Sequence, residues 1–196
     1  MGSKTNVKSM ITNFQIFEKN ESIPHLYHGS RHLFNKFNQN ELGKDNHLLS
    51  YLGYHFTPNK DVANKFAKKP DKVIYEVEIT VNKTLKINEG DLVRNMLKWG
   101  DETGLLNIKT EELDELLKLP YHTISMNEDS IVDEMLDNNI VENKTLSFYY
   151  KSYLKMEGYD SIEYLNEIEY YGDKPDRYDW IVFDSNQIKI IDIIKY

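Results

Sequence analysis

Residues 73–81 read Val73-Ile74-Tyr75-Glu76-Val77-Glu78-Ile79-Thr80-Val81, and their alternation decides the fold class. Val73, Tyr75, Val77, Ile79 and Val81 fall on one face and Glu76, Glu78 and Thr80 on the other, the period of two that a half-buried strand requires. Such a strand needs partners. Downstream, Leu85-Lys86-Ile87 predicts a short companion, and further strands are predicted at 159–162, 180–183 and 188–194, with the polar turn Asp184-Ser185-Asn186 before the last. Upstream, Ser50 to Thr57 has strand character. His25 to His28 reads as a short strand that begins after Ile23-Pro24, where proline lacks an N–H and drives its predecessor extended.

Helical signals fill the gaps. Thr57-Pro58 reads as N-cap and first residue of a helix whose apolar face is Val62, Ala63, Phe66 and Ala67, stopped by Pro70-Asp71. Leu33, Phe34 and Phe37 suggest a helical turn before the patternless polar loop 38–47, a candidate flap. From Asp91 to Gly158 the texture is helical. Asp91, Thr110 and Asn127 are placed to cap helices over 92–99, 111–118 and 128–137. Leu146, Tyr149, Tyr150, Tyr153 and Leu154 mark another helix, with Gly158 as the residue that ends it. Residues 1–20 fit an amphipathic helix or a loose arm equally well. Strands flank the helical block, so the two ends meet in one sheet. The expected class is α+β, mainly antiparallel, in one domain spanning 1–196 with a helical insertion at about 91–157.

Composition narrows the function. A chain of 196 residues buries a core without covalent staples, and the absence of cysteine removes disulfides, thiolate nucleophiles and thiolate metal sites. The net charge of -8, with 32 acidic against 24 basic residues, argues against nucleic acid as partner, because phosphate-backbone binding needs a basic face. A protein or small-molecule partner is expected. No apolar run reaches membrane-spanning length and residues 1–14 lack a signal-peptide core, which predicts a soluble, cytoplasmic protein with no membrane partner.

Three strand ends carry the chemistry: Leu26-Tyr27-His28-Gly29-Ser30-Arg31, Gly53-Tyr54-His55-Phe56-Thr57 and Asp179-Trp180-Ile181-Val182-Phe183-Asp184. Each alone reads as a strand fragment, a piece of core or a solvated strand-end acid. His25, His28 and His32 have spacings that would suit zinc on a helix, but Pro24 and Gly29 argue against a helix there, and no metal is expected. Glu111, Glu112, Asp114 and Glu115 read as a solvated helix face.

In order and chemistry, the three segments together resemble the NAD-contacting strands of ADP-ribosyltransferases of the H-Y-E type, the family of the diphtheria toxin catalytic domain and the poly(ADP-ribose) polymerases, with many small phage and bacterial members. The resemblance covers about 24–87 and 158–192 and implies an ADP-ribosyltransferase-like split sheet. It implies an enzyme that cleaves NAD, its substrate, at the nicotinamide–ribose bond and transfers ADP-ribose to a protein target as a mono-ADP-ribosyltransferase, in a toxin, effector or counter-defence role. By the same resemblance His28 binds a ribose and Gly29 the nicotinamide carboxamide, with Tyr27, Ser30 and Arg31 beside them. The family's stacking tyrosine falls on His55, with Tyr54 the second candidate one residue early. Phe66 offers a second aromatic, and Asp179 stands where glutamate is usual, as the catalytic acid. Glu163, in the predicted strand Gly158-Tyr159-Asp160-Ser161-Ile162-Glu163-Tyr164, is the reserve acid. The two substitutions keep a non-transferring binding module and an NAD glycohydrolase open as alternatives.

Overall fold

The computed structural model describes residues 18–44, 48–106, 143–166 and 178–196, with Asp114 and Lys118 besides. Within these residues six strands are formed, β1 (Glu18–Ser30), β2 (Tyr54–Phe56), β3 (Val73–Asn88), β4 (Ser161–Leu165), β5 (Tyr178–Val182) and β6 (Ile188–Lys195). Among the described residues three whole α-helices accompany them, α1 (Lys60–Phe66), α2 (Glu89–Glu102) and α3 (Asn143–Met156).

The long strand β3 organises the rest. Its first half lies between β1 and β6, antiparallel to both. Its last five residues pair in parallel with β4, from Thr84 opposite Ser161 to Asn88 opposite Leu165, and the sheet continues antiparallel through β5 to β2. A single strand thus belongs to two sheet halves, which pack face to face. Val73, Tyr75, Val77, Ile79 and Val81 form the core between them with Leu26, Tyr54, Phe56, Trp180 and Val182, the face that the alternation predicts. The outer side of the first half is covered by α1 through Ala63 and Ala67 against Ile74. The outer side of the second half carries the largest cluster, in which Leu92, Met96 and Leu97 of α2 and Leu146 and Leu154 of α3 meet Leu85, Ile162, Ile181 and Phe183. The class is α+β, with α2 and α3 layered on the sheet and sharing its core. Among the described residues no helix is long and apolar enough to cross a membrane.

Several boundaries differ from those read in the sequence, each for a nonlocal reason. The segments 73–81 and 85–87 are one strand, because the polar residues between them find partners on β4 and its approach. Asp160 accepts from the backbone N–H groups of Asn82 at 2.9 Å and Lys83 at 3.2 Å, and the Thr84 and Ser161 hydroxyls pair at 2.8 Å in the core. β1 runs through Pro24. The register shifts between Ile23 and Leu26 and His25 takes φ of 59°, a bulge that removes the proline from the ladder. The cap of α1 is Asn59, whose side chain accepts from Asp61 N–H at 2.9 Å, while Thr57 is drawn into pairing with β1. Only 54–56 of the 50–57 segment is strand, and 48–51 is a 3-10 turn with Leu48 and Leu49 buried.

Residues 33–37 form no helical turn. Phe34 stacks on Tyr75 with ring centroids 4.1 Å apart and donates its N–H to the Tyr75 hydroxyl. In α2, Asn88 is the cap and Asp91 sits inside the first turn. The end of α3 follows expectation: Gly158 has φ of 88°, and the bonds Gly158 N–H to Lys155 and Tyr159 N–H to Leu154 close a Schellman motif. Residues 18–20 of the segment 1–20 open β1 rather than a helix or loose arm; the rest of that segment, the end of the 38–47 flap and the helices over 111–118 and 128–137 lie outside the described residues, Asp114 and Lys118 apart.

Candidate active site

β1 carries Tyr27, His28, Gly29 and Ser30 in unbroken antiparallel register with β3. On its other edge Tyr27 exchanges two backbone bonds with Thr57, at 2.8 and 3.0 Å, which joins β1 to the end of β2. Antiparallel alternation then puts the N–H and C=O of Gly29 on that same edge, two residues beyond the isolated Tyr27–Thr57 bridge. The Cα of Gly29 faces α1 so closely that a Cβ there would lie 1.9 Å from the Ala63 carbonyl oxygen.

His28 points the opposite way, into the space between the sheet halves. Its ring lies among Phe37 at 5.2 Å, Phe56 at 5.8 Å, and Phe34 and Tyr75 at 6.4 Å between centroids, while the residue keeps part of its surface accessible. Its Nδ1 is 2.9 Å from the His55 carbonyl oxygen. A carbonyl only accepts, so Nδ1 carries the hydrogen and Nε2 is the acceptor of the neutral ring. Burial pushes the imidazole below its ordinary range, and the bond to His55 only partly offsets this.

The sign of the resulting pH effect is fixed. A histidine whose folded pKa is depressed is fully compatible with the fold above the unfolded value of 6.5. Stability is lost as pH falls from there through the folded pKa, because the unfolded chain takes up the proton first. Urea unfolding at a series of pH values should therefore show a stability loss below about 6.5 that is smaller in His28→Gln. Equal pH dependence in the two proteins would show that His28 is not buried as the neutral ring.

On β2 the three side chains alternate. Tyr54 and Phe56 enter the core between the sheet halves, Tyr54 against Phe37 at 5.4 Å, with burial raising its phenol pKa. His55 therefore faces the side covered by the helices, where its Nε2 donates to the Leu49 carbonyl at 3.0 Å. Its ring meets that of Tyr164 edge-on at 6.2 Å. Asp179 is on the adjacent strand β5, opposite Tyr164 of β4. Ile181 and Phe183 belong to the helix-side core and Trp180 and Val182 to the core between the sheet halves. By alternation Asp179 shares the face of Ile181, and so that of His55. It is 3% exposed and accepts a bond from the Asn166 side-chain amide at 2.8 Å.

The structure thus brings His55 and Asp179 to one face of β2–β5, with the Gly29 backbone edge at the neighbouring strand end. It sets the His28 ring on the other face of β2, tethered to His55 through the backbone. Tyr54 is separated from His55 by the sheet itself. Phe66 ends α1 with 48% of its surface exposed, next to the Ala67 that packs on Gly29. The Ser30 hydroxyl is engaged with the backbone of His32, and the Arg31 carbonyl accepts from Asp71 N–H. Glu163 lies on the opposite face of β4 from Tyr164 and is ion-paired with Lys86 at 2.5 Å. Among the described residues no group of three His, Asp or Glu side chains is placed to hold a metal ion, and His25 is instead bonded to Glu76 at 2.6 Å. Sequence reasoning passed over Tyr164, Asn166 and the Leu49 carbonyl. The first two carried a signal, since residues 162, 164 and 166 share one face of a strand.

The sequence model of one family, described as ADP-ribosyltransferase in polyvalent proteins, matches residues 19–193. The chain belongs to this ADP-ribosyltransferase family. Searches of curated proteins and of solved structures gave no match. The family uses NAD as its substrate, and the match runs across the described β1-to-β6 frame, so all three strand ends lie within the ADP-ribosyltransferase domain. The α+β architecture with its split sheet fits an ADP-ribosyltransferase fold.

Proposed function

We propose that this ADP-ribosyltransferase is a mono-ADP-ribosyltransferase acting on a protein target. The observation that carries the reading is the buried, hydrogen-bonded carboxylate of Asp179 on the same sheet face as His55. In this reading the Gly29 N–H and C=O clasp the nicotinamide carboxamide, His55 and Phe66 flank the ring, and Tyr27, Ser30 and Arg31 border the same strand end. His28, whose ring lies on the other face of β2, takes part in this reading only through its bond to the His55 carbonyl, which holds that strand end. The chemistry breaks the bond between ribose C1′ and the nicotinamide nitrogen, and nicotinamide leaves with the electron pair. Positive charge grows on the ribose, and the Asp179 carboxylate stabilises it. A nucleophile of the target then bonds to C1′ and loses its proton to solvent. The net charge of -8 suits a protein acceptor rather than nucleic acid, and a cytoplasmic effector, toxin or counter-defence role is the setting in which such a reaction acts.

A non-transferring binding module is favoured by one observation, the bond that holds the His55 ring on the Leu49 carbonyl rather than open to a ligand. Incubation with NAD labelled in the adenylate half, in candidate host lysate, separates the readings. Label on a protein is the expected result. Free ADP-ribose without labelled protein would make the chain an NAD glycohydrolase, and neither product would leave the binding module.

A further inference from the structure

We propose that Asn166 is a positioning residue for the transfer reaction, its side-chain amide holding the Asp179 carboxylate in the orientation from which it addresses the ribose. The inference rests on the reading of Asp179 given above and deepens it. Asn166 follows directly on β4, and strand alternation through Ile162 and Tyr164 carries it onto the helix-side face. Tyr164 is the register partner of Asp179, so Asn166 stands diagonally across the β4–β5 pair, within reach of the acid. The contact is tight, Nδ2 to Oδ2 at 2.8 Å, and both residues are buried, Asn166 at 5% and Asp179 at 3% exposure.

The choice of an amide has a chemical reason. A buried carboxylate needs donors, and a donor bonded to an ion gives roughly twice the strength of a neutral pair. A lysine or arginine at this position would also orient the carboxylate, but its positive charge would cancel the field that an oxocarbenium-like transition state needs. An amide orients without neutralising and cannot give up its proton. Among the described residues His55 on β2 and Tyr164 on β4 are titratable groups on this face, and Glu89, buried at the start of α2, follows the Asn88 that pairs with Leu165. Aspartate is shorter than the family's glutamate, and fixing one of its oxygens from β4 offsets part of the loss of reach by removing its freedom to rotate away.

The experiment compares wild type, Asn166→Leu, Asn166→Ser, Asp179→Asn and the double variant Asn166→Leu/Asp179→Asn. Nicotinamide release is measured at saturating NAD, alongside NAD affinity and thermal melting. The expected result is a fall in kcat of about 10–100-fold in Asn166→Leu, the worth of a hydrogen bond to a charged group, with NAD affinity nearly unchanged. Asn166→Ser, which keeps a donor, should recover part of the loss, and Asn166→Leu should add little to Asp179→Asn because the two act as one unit. Unchanged kcat in Asn166→Leu with an impaired Asp179→Asn would overturn the positioning role alone. Additive losses in the double variant, tracking lower melting temperature, would show a merely structural residue. Full activity in Asp179→Asn would instead remove the reading of Asp179, and this inference with it. Should Asn166→Leu fail to melt cooperatively, the pair Asn166→Ala and Asn166→Ser makes the same comparison.

Discussion

Gly29→Ala is expected to destabilise the protein by about 1–3 kcal/mol, the usual cost of forcing a methyl group into a filled space. The added Cβ would lie 1.9 Å from the Ala63 carbonyl oxygen and 2.8 Å from the Ala67 nitrogen. Those two atoms are themselves bonded at 3.2 Å and close the last turn of α1. The obstacle is therefore backbone, which no rotamer change relieves, and the helix end must move as a unit. At about 2–4 °C per kcal/mol for a chain of this size, the shift is readily seen in a melting curve. Gly104→Ala is the control, since Gly104 has φ of 72° but nothing within 4 Å of its would-be Cβ, so only backbone strain of about 1 kcal/mol applies there. A Gly29→Ala protein as stable as wild type would mean that α1 does not sit on β1 as described. Because Phe66 lies between Ala63 and Ala67, the same displacement should also weaken NAD binding, which links a packing requirement to the site.

How much of this was legible in the sequence depends on how far the deciding contact lies along the chain. The inward face of β3 was plain from residues 73–81, because alternation is a local property. Its continuation through Asn82, Lys83 and Thr84 was not, because the carboxylate that satisfies two of their backbone groups is Asp160, more than seventy residues away. Pro24 looked like a terminus and is a bulge, since the partner strand supplies the register that a single chain cannot show. The α1 cap moved from Thr57 to Asn59 because Thr57 is held by Tyr27 across the strand gap. The fold class survived these errors because it needs only which segments are strands, not where each one stops.

The site divides the same way. The facing of Asp179 with Ile181, away from Trp180 and Val182, followed from strand period alone. The separation of Tyr54 from His55 by the sheet was equally implicit: it sets His55 on the face of Asp179 and Tyr54 on the face that His28 enters. The tether from His28 to the His55 carbonyl needed β1 and β2 to be neighbours, which no local pattern states. Asn166 was overlooked because an asparagine after a strand usually signals a turn, and its partner becomes visible only when β4 and β5 are paired.

Asp179→Asn is expected to lower transfer by about 10²–10³, the range for loss of one preorganised electrostatic group, with NAD affinity little changed. The amide can turn its oxygen toward Asn166 and keep the bond that now runs from Asn166 to Oδ2, so the fold stays and the charge goes. Asp179→Glu is the sharper probe. Glutamate restores the family's usual acid but adds a methylene, about 1.5 Å of reach, to a side chain only 3% exposed. With Asn166 anchoring one oxygen, the extra length must buckle or push the amide aside, and overpacking of a filled site is itself costly. The expected outcome is lower activity in Asp179→Glu, by roughly tenfold as judged from a misplaced catalytic group, and partial recovery when Asn166→Ser makes room. Activity at or above wild type in Asp179→Glu would mean that the strand end tolerates the shorter acid without having been rebuilt around it. Full transfer by Asp179→Asn would require the positive charge on the ribose to be met by another group. Glu163, paired with Lys86 on the far face of β4, could not supply it without leaving that partner.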